Sequence, residues 1–111
     1  MDKLLNELLD EKDNIVKELE KARKDYAEKK IAYEENKNDL LLNTDFSEKK
    51  LTNQEMRKAY VDNECKTLKK EKELAGVSVK NYEMQLDSLT QKIELCVFIT
   101  KVNYELGGIV E

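Results

Sequence analysis

The sequence predicts an all-α chain, a long antiparallel helical hairpin or coiled coil that assembles into an oligomeric helix bundle. Three observations predict it. The first is an apolar stripe in near-unbroken heptad phase: Val61, Cys65, Leu68, Lys72, Ala75, Val79, Tyr82, Leu86, Leu89, Ile93, Cys96 and Thr100. Steps of four and three keep one side of a helix toward one partner, whereas a strand would alternate at period two. The second is composition. Charged residues make up 40% of the chain and hydrophobic residues another 40%, the mixture of long helices and coiled coils. The third is the scarcity of breakers, with no proline and three glycines in 111 residues. The length suits one helical domain over residues 1–111.

The first helix is expected over residues 3 to about 42. Its stripe reads Leu5, Leu8, Lys12, Ile15, Leu19, Ala22, Tyr26, Lys29, Tyr33, Asn36 and Leu40. The first half is a regular seam. In the second half Lys29 and Asn36 either stand in the seam, where polar residues fix register at a cost in stability, or mark a rotation toward Ile31, Ala32 and Leu41. Glu7, Asp10, Glu11, Asp13, Glu18 and Glu20 make this helix locally acidic.

The connection is expected over residues 43–52. Asn43, Thr44, Asp45 and Ser47 favour local side-chain hydrogen bonds over continued helix. Phe46 is placed to plug the end of a hairpin.

The second helix is expected from 53 to about 104. Thr52 and Glu55 have capping-box spacing, and Leu51 with Met56 supplies a hydrophobic staple. Gly76 is the internal weak point, but the heptad phase is the same on both sides of it, which favours a continuous or gently kinked helix. Gly107 and Gly108 are expected to stop it at a left-handed C-cap, leaving a short C-terminal tail.

Two long helices bury only a narrow seam, so oligomerisation or a partner is the natural cover for the rest. The segment IELCVFITKV, 93–102, is apolar on more than one face and must be surrounded. Tyr82, Leu86, Leu89, Ile93, Cys96, Val97 and Phe98 are therefore the expected interface, either with further copies in a dimer or tetramer or with another protein.

The chemistry argues against catalysis. There is no histidine, which removes the commonest general base and most catalytic zinc sites. The two cysteines, Cys65 and Cys96, lack CxxC spacing. On one continuous helix they would lie about 45 Å apart, far beyond disulfide reach. No phosphate-cradling glycine loop occurs. No catalytic residue, cofactor or metal is expected. The basic cluster Arg57, Lys58, Lys66, Lys69, Lys70 and Lys72 could meet phosphates, but Asp62, Glu64, Glu71 and Glu73 lie among its members. With a net charge of −4, nucleic acid is not the expected partner. No apolar run reaches eighteen residues and the N-terminus does not read as a secretory signal, so a cytoplasmic protein is expected.

The stretch LTNQEMRKAYVDNECKTLKKEKELAGVSVKNYEMQLDSLTQKIEL resembles small helical proteins of bacteriophages and prophages, several encoded near single-strand annealing and replication genes. The resemblance is one of style over residues 51–102: a capped Asn-rich start, a long Ala/Leu/Lys/Glu helix and an Ile-rich end. It carries no motif from which a functional residue can be transferred. It implies a phage or mobile-element accessory protein in the host cytoplasm. Such a protein would bind and modulate a protein of DNA replication, recombination or defence, inhibition of the anti-CRISPR type included. A single-stranded nucleic-acid-binding accessory protein and a structural coiled-coil spacer are the alternatives from other classes.

Overall fold

A computed structural model describes the backbone of residues 2–110 and the side chains of residues 3–106. The described residues form three α-helices and no strand: α1 Asp2–Asn43, α2 Gln54–Glu64 and α3 Lys66–Val110. The all-α expectation holds. The chain divides into two compact units, unit 1 comprising Met1–Lys21 with Val79–Glu111 and unit 2 comprising Ala22–Ser78.

Unit 2 is built around Tyr33, Val61 and Cys65, with Leu40, Phe46, Tyr60 and Leu68 packed against them. The α1 seam does not rotate here. Tyr26, Lys29, Asn36 and Leu40 are half-buried and Tyr33 is buried, while Ile31 and Leu41 point outward. Each polar residue in the seam has found a local solution. Asn36 donates from Nδ2 to Cys65 Sγ at 3.5 Å. Lys72, the polar exception in the α3 stripe, sets its Nζ 4.6 Å from the centroid of the Tyr33 ring, so its charge meets an aromatic face. Lys29 donates to Asp25 Oδ1 at 2.9 Å one turn back. That hydrogen bond, and then the Asp25 charge, raise the Lys29 pKa above its ordinary value.

The connection is held by its own side chains. Asp45 Oδ1 accepts from the Glu48 N–H at 3.0 Å, and the Leu51 N–H donates to Phe46 O at 2.8 Å. Lys50 closes the turn with φ 59°, a left-handed conformation that a lysine adopts only at a cost. The loop is fastened to α2 by aromatic and hydrogen-bond contacts, Lys49 Nζ 5.2 Å from the Tyr60 ring centroid among them. Phe46 and Tyr60 meet edge to face at 6.3 Å, Arg57 stacks over Phe46, and Arg57 Nε donates to Leu51 O at 3.0 Å.

Helix α2 starts one residue later than the capping box implies. The N-cap is Asn53, in extended backbone with φ −122° and ψ 163°, and its Oδ1 accepts from Met56 N at 2.7 Å. Glu55 falls in the first turn, where its charge suits the helix dipole. The continuous or gently kinked helix expected from 53 to about 104 is divided into α2 and α3. It is interrupted, and the interruption is at Cys65 rather than Gly76. Cys65 has φ −92° and ψ 1°, roughly 40° from helical ψ. Hydrogen bonding still passes through the interruption, from Cys65 N to Val61 O and from Lys69 N to Cys65 O, each at 2.9 Å. Val61 and Cys65 are the most completely buried side chains, so the interruption falls inside the unit 2 core.

Gly76 lies inside α3 and faces Tyr26, where a Cβ would stand 3.3 Å from the ring Cε2. Its role is close approach of an aromatic ring, not interruption of the helix.

Unit 1 buries Leu19 from α1 and Leu89 and Cys96 from α3. Leu5, Leu8, Lys12 and Ile15 are half-buried, as are Tyr82, Leu86 and Ile93. Thr100, the polar end of the stripe, satisfies its hydroxyl by donating to Cys96 O at 2.9 Å. The helix continues through Gly107 and Gly108 to Val110, and no described glycine has positive φ. The expected left-handed C-cap and tail are therefore replaced by helix. Glycine weakens a helix by about 1 kcal/mol but does not forbid it. Cys65 and Cys96 are free and buried.

Candidate interaction surface

The heptad stripe is a seam inside the protein. Among the described residues, every buried side chain of α2, α3 and the residue between them lies on it: Val61, Cys65, Ala75, Leu89 and Cys96. This divides the expected interface in two. Leu89 and Cys96 are covered within unit 1 and have little surface to offer a partner, and Tyr82, Leu86 and Ile93 are half-covered. Val97 and Phe98 point outward, 49% and 62% exposed.

Other large apolar side chains join them in unit 1, Leu95 from within the segment 93–102. Met84, Leu95, Tyr104 and Leu106 on α3 are exposed, as are Leu4 and Leu9 on α1. Leu4 and Leu8 face Leu95, Cys96 and Ile99 across an open apolar groove of about 360 Å³, with Lys92 at its edge. A more polar groove of about 400 Å³ lies between Glu11, Asn14 and Ile15 on α1 and Gln85, Ser88 and Leu89 on α3. Met84, Leu95, Phe98 and Leu106 carried a signal in the sequence, because all four fall on a second set of positions spaced by four and three. The stronger stripe beside it hides that signal.

The basic candidates are dispersed in role. Arg57 is committed to the loop through Phe46 and Leu51 O. Lys58 borders a groove of unit 2 floored by Leu41, Phe46 and Val61, with Asp62 on the same rim. Lys66, Lys69 and Lys70 are exposed together on the outer face of α3. Lys72 is withdrawn into the seam over Tyr33. The six basic residues thus have different surroundings, with Arg57 and Lys58 at one groove, Lys66, Lys69 and Lys70 exposed on α3, and Lys72 over Tyr33.

Among the described residues no group of Cys, Asp and Glu is placed to hold a metal ion, and no helix is long and apolar enough to cross a membrane. No family model, curated protein or solved structure matches the chain.

Proposed function

We propose that this chain is a non-catalytic protein–protein interaction module: an antiparallel helical hairpin that assembles as an oligomer and presents the outer faces of its second arm to partners. Its biological setting would be a phage or mobile element. There it would bind and modulate a protein of DNA replication, recombination or defence in the bacterial cytoplasm.

The observation that carries the reading is the exposed Leu95 and Phe98, one turn apart on one face of a helix whose inward seam is already filled. A surface helix of a monomer keeps such positions polar, and a contiguous apolar patch marks an interface. The hairpin reading is supported by the order of contacts. In unit 2, Tyr33 meets Lys72 and Asn36 meets Cys65, so numbering falls along α3 as it rises along α1. In unit 1, Leu4 and Leu8 line a groove with Cys96 and Ile99, and Ile15 lines one with Leu89.

The test is capture from a bacterial lysate by the tagged full chain, beside a Phe98→Asp variant that remains helical. A specific protein held by the wild type and lost in the variant supports the reading. Failure to capture any protein from lysates of several hosts, together with no self-association at micromolar concentration, overturns it.

A further inference from the structure

We infer that α3 carries a second helix-pairing seam, on the flank of the one facing α1 and bordering its open grooves, and that its occupant is the same seam of a second copy of this chain, aligned parallel. The inference rests on the interaction-module reading above and names the partner.

Within unit 1, Met84, Leu95, Phe98 and Leu106 are exposed and Val102 is half-buried. With Ser88 and Gln91 they fall at 84, 88, 91, 95, 98 and 102, steps of four and three, closing at 106 one turn later. This line lies about 110° around the helix from Leu89 and Cys96, at ~100° per residue. It spans about 33 Å at ~1.5 Å per residue, some three heptads. Val97 and Tyr104 lie on the opposite flank of the buried seam and do not belong to it.

Flanking charges and the one central amide select the occupant and its direction. In a parallel pair, a residue preceding the seam meets the residue five further along in the partner helix. Asp87 then meets Lys92 of the second copy, twice by symmetry. The next such residue, Glu94, falls opposite Ile99, so no like charges face each other. Gln91 falls opposite Gln91, where the two amides can hydrogen-bond and fix the register. The antiparallel register that overlaps positions 84–102 sets Gln91 against Leu95. It also sets Lys92 beside Lys92 and Glu94 beside Glu94, which offsets its favourable Asp87–Lys101 pairs.

The experiment combines association with orientation. The full chain is examined by sedimentation equilibrium beside Phe98→Asp and Val97→Asp. The expected result is a dimer that Phe98→Asp weakens by at least about tenfold and Val97→Asp changes little. Both positions are exposed, so both variants fold. Ser88→Cys and Val102→Cys, made singly, are then oxidised under native conditions with the wild type as control for the buried Cys65 and Cys96. Parallel pairing places each new thiol against its own copy, so both variants give disulfide dimers and the wild type gives none. In the overlapping antiparallel pair Ser88 faces Phe98 and Val102 faces Met84, so neither links. A dimer that fails to link at both positions, or one weakened equally by Val97→Asp, overturns the inference. A monomer that still captures a host protein through Phe98 overturns the second copy as occupant and leaves the interaction reading standing. A monomer that captures nothing overturns both.

Discussion

Replacing Asn53 by alanine tests where α2 begins and what its start is worth. The Asn53 side chain accepts the Met56 N–H at 2.7 Å from a residue in extended backbone. Alanine removes that acceptor and leaves an N–H of the first turn to water. Losses of this kind cost about 1 kcal/mol, within a range of roughly 0.5–2. The Arg57 N–H still reaches the Asn53 carbonyl at 3.1 Å, because that bond is backbone to backbone, so the helix itself persists. For a chain of 111 residues, unfolding entropy scales to roughly 0.2 kcal/mol per kelvin, so 1 kcal/mol lowers Tm by about 4 °C. Thr52→Ala removes a hydroxyl from an exposed residue outside the cap and should move Tm by less than about 1 °C. Asn53→Asp keeps the acceptor and adds a charge favourable at a helix N-terminus, so it should match or exceed the wild type. The assay is thermal and urea unfolding followed by circular dichroism at 222 nm. All variants must be at one protein concentration, because association shifts Tm. Equal losses from Thr52→Ala and Asn53→Ala, or a larger loss from Thr52→Ala, would refute the assignment.

Three further outcomes are expected. Gly76→Ala gains up to about 1 kcal/mol of helix propensity against a Cβ contact of 3.3 Å with Tyr26. Because Tyr26 is only half-buried and can shift, the variant should be neutral to stabilising in urea unfolding, and a loss above about 1 kcal/mol would show that the ring cannot give. Tyr33→Ala empties the centre of the unit 2 core and strips Lys72 of its aromatic partner; it should cost about 3–5 kcal/mol, and Tyr33→Phe, which keeps the ring, less than about 1, by the same measurement. The isolated protein should show no submicromolar oligonucleotide affinity near 150 mM salt in fluorescence anisotropy, because phosphate binding needs several cations on one surface. Submicromolar binding lost in a folded Lys66/Lys69/Lys70→Glu triple variant would promote the nucleic-acid alternative.

Periodicity made the inward faces legible from sequence alone. Tyr33, Leu89 and Cys96 were placed inward by spacing of four and three, and all are buried. Lys29, Asn36 and Lys72 belonged to the same spacing, but sequence could not say whether the seam tolerates them. That answer depends on neighbours remote in the chain: Tyr33 lies 39 positions from Lys72, and Cys65 lies 29 from Asn36. The start of α2 was legible to within one residue. Thr52 with Glu55 and Asn53 with Met56 both have cap spacing, and the choice fell to the geometry in which the Phe46–Leu51 turn delivers the chain. The interruption at Cys65 had no local signal, since neither glycine nor proline stands there. Gly76 had the local signal and kept its helix. Backbone propensity differs by only about 1 kcal/mol at such a site, less than burying one large side chain is worth. Local spacing thus determined which residues are helical and which way they face. Contacts between distant segments decided where the second helix is interrupted, how polar residues survive in the seam, and which apolar residues of α3 remain uncovered.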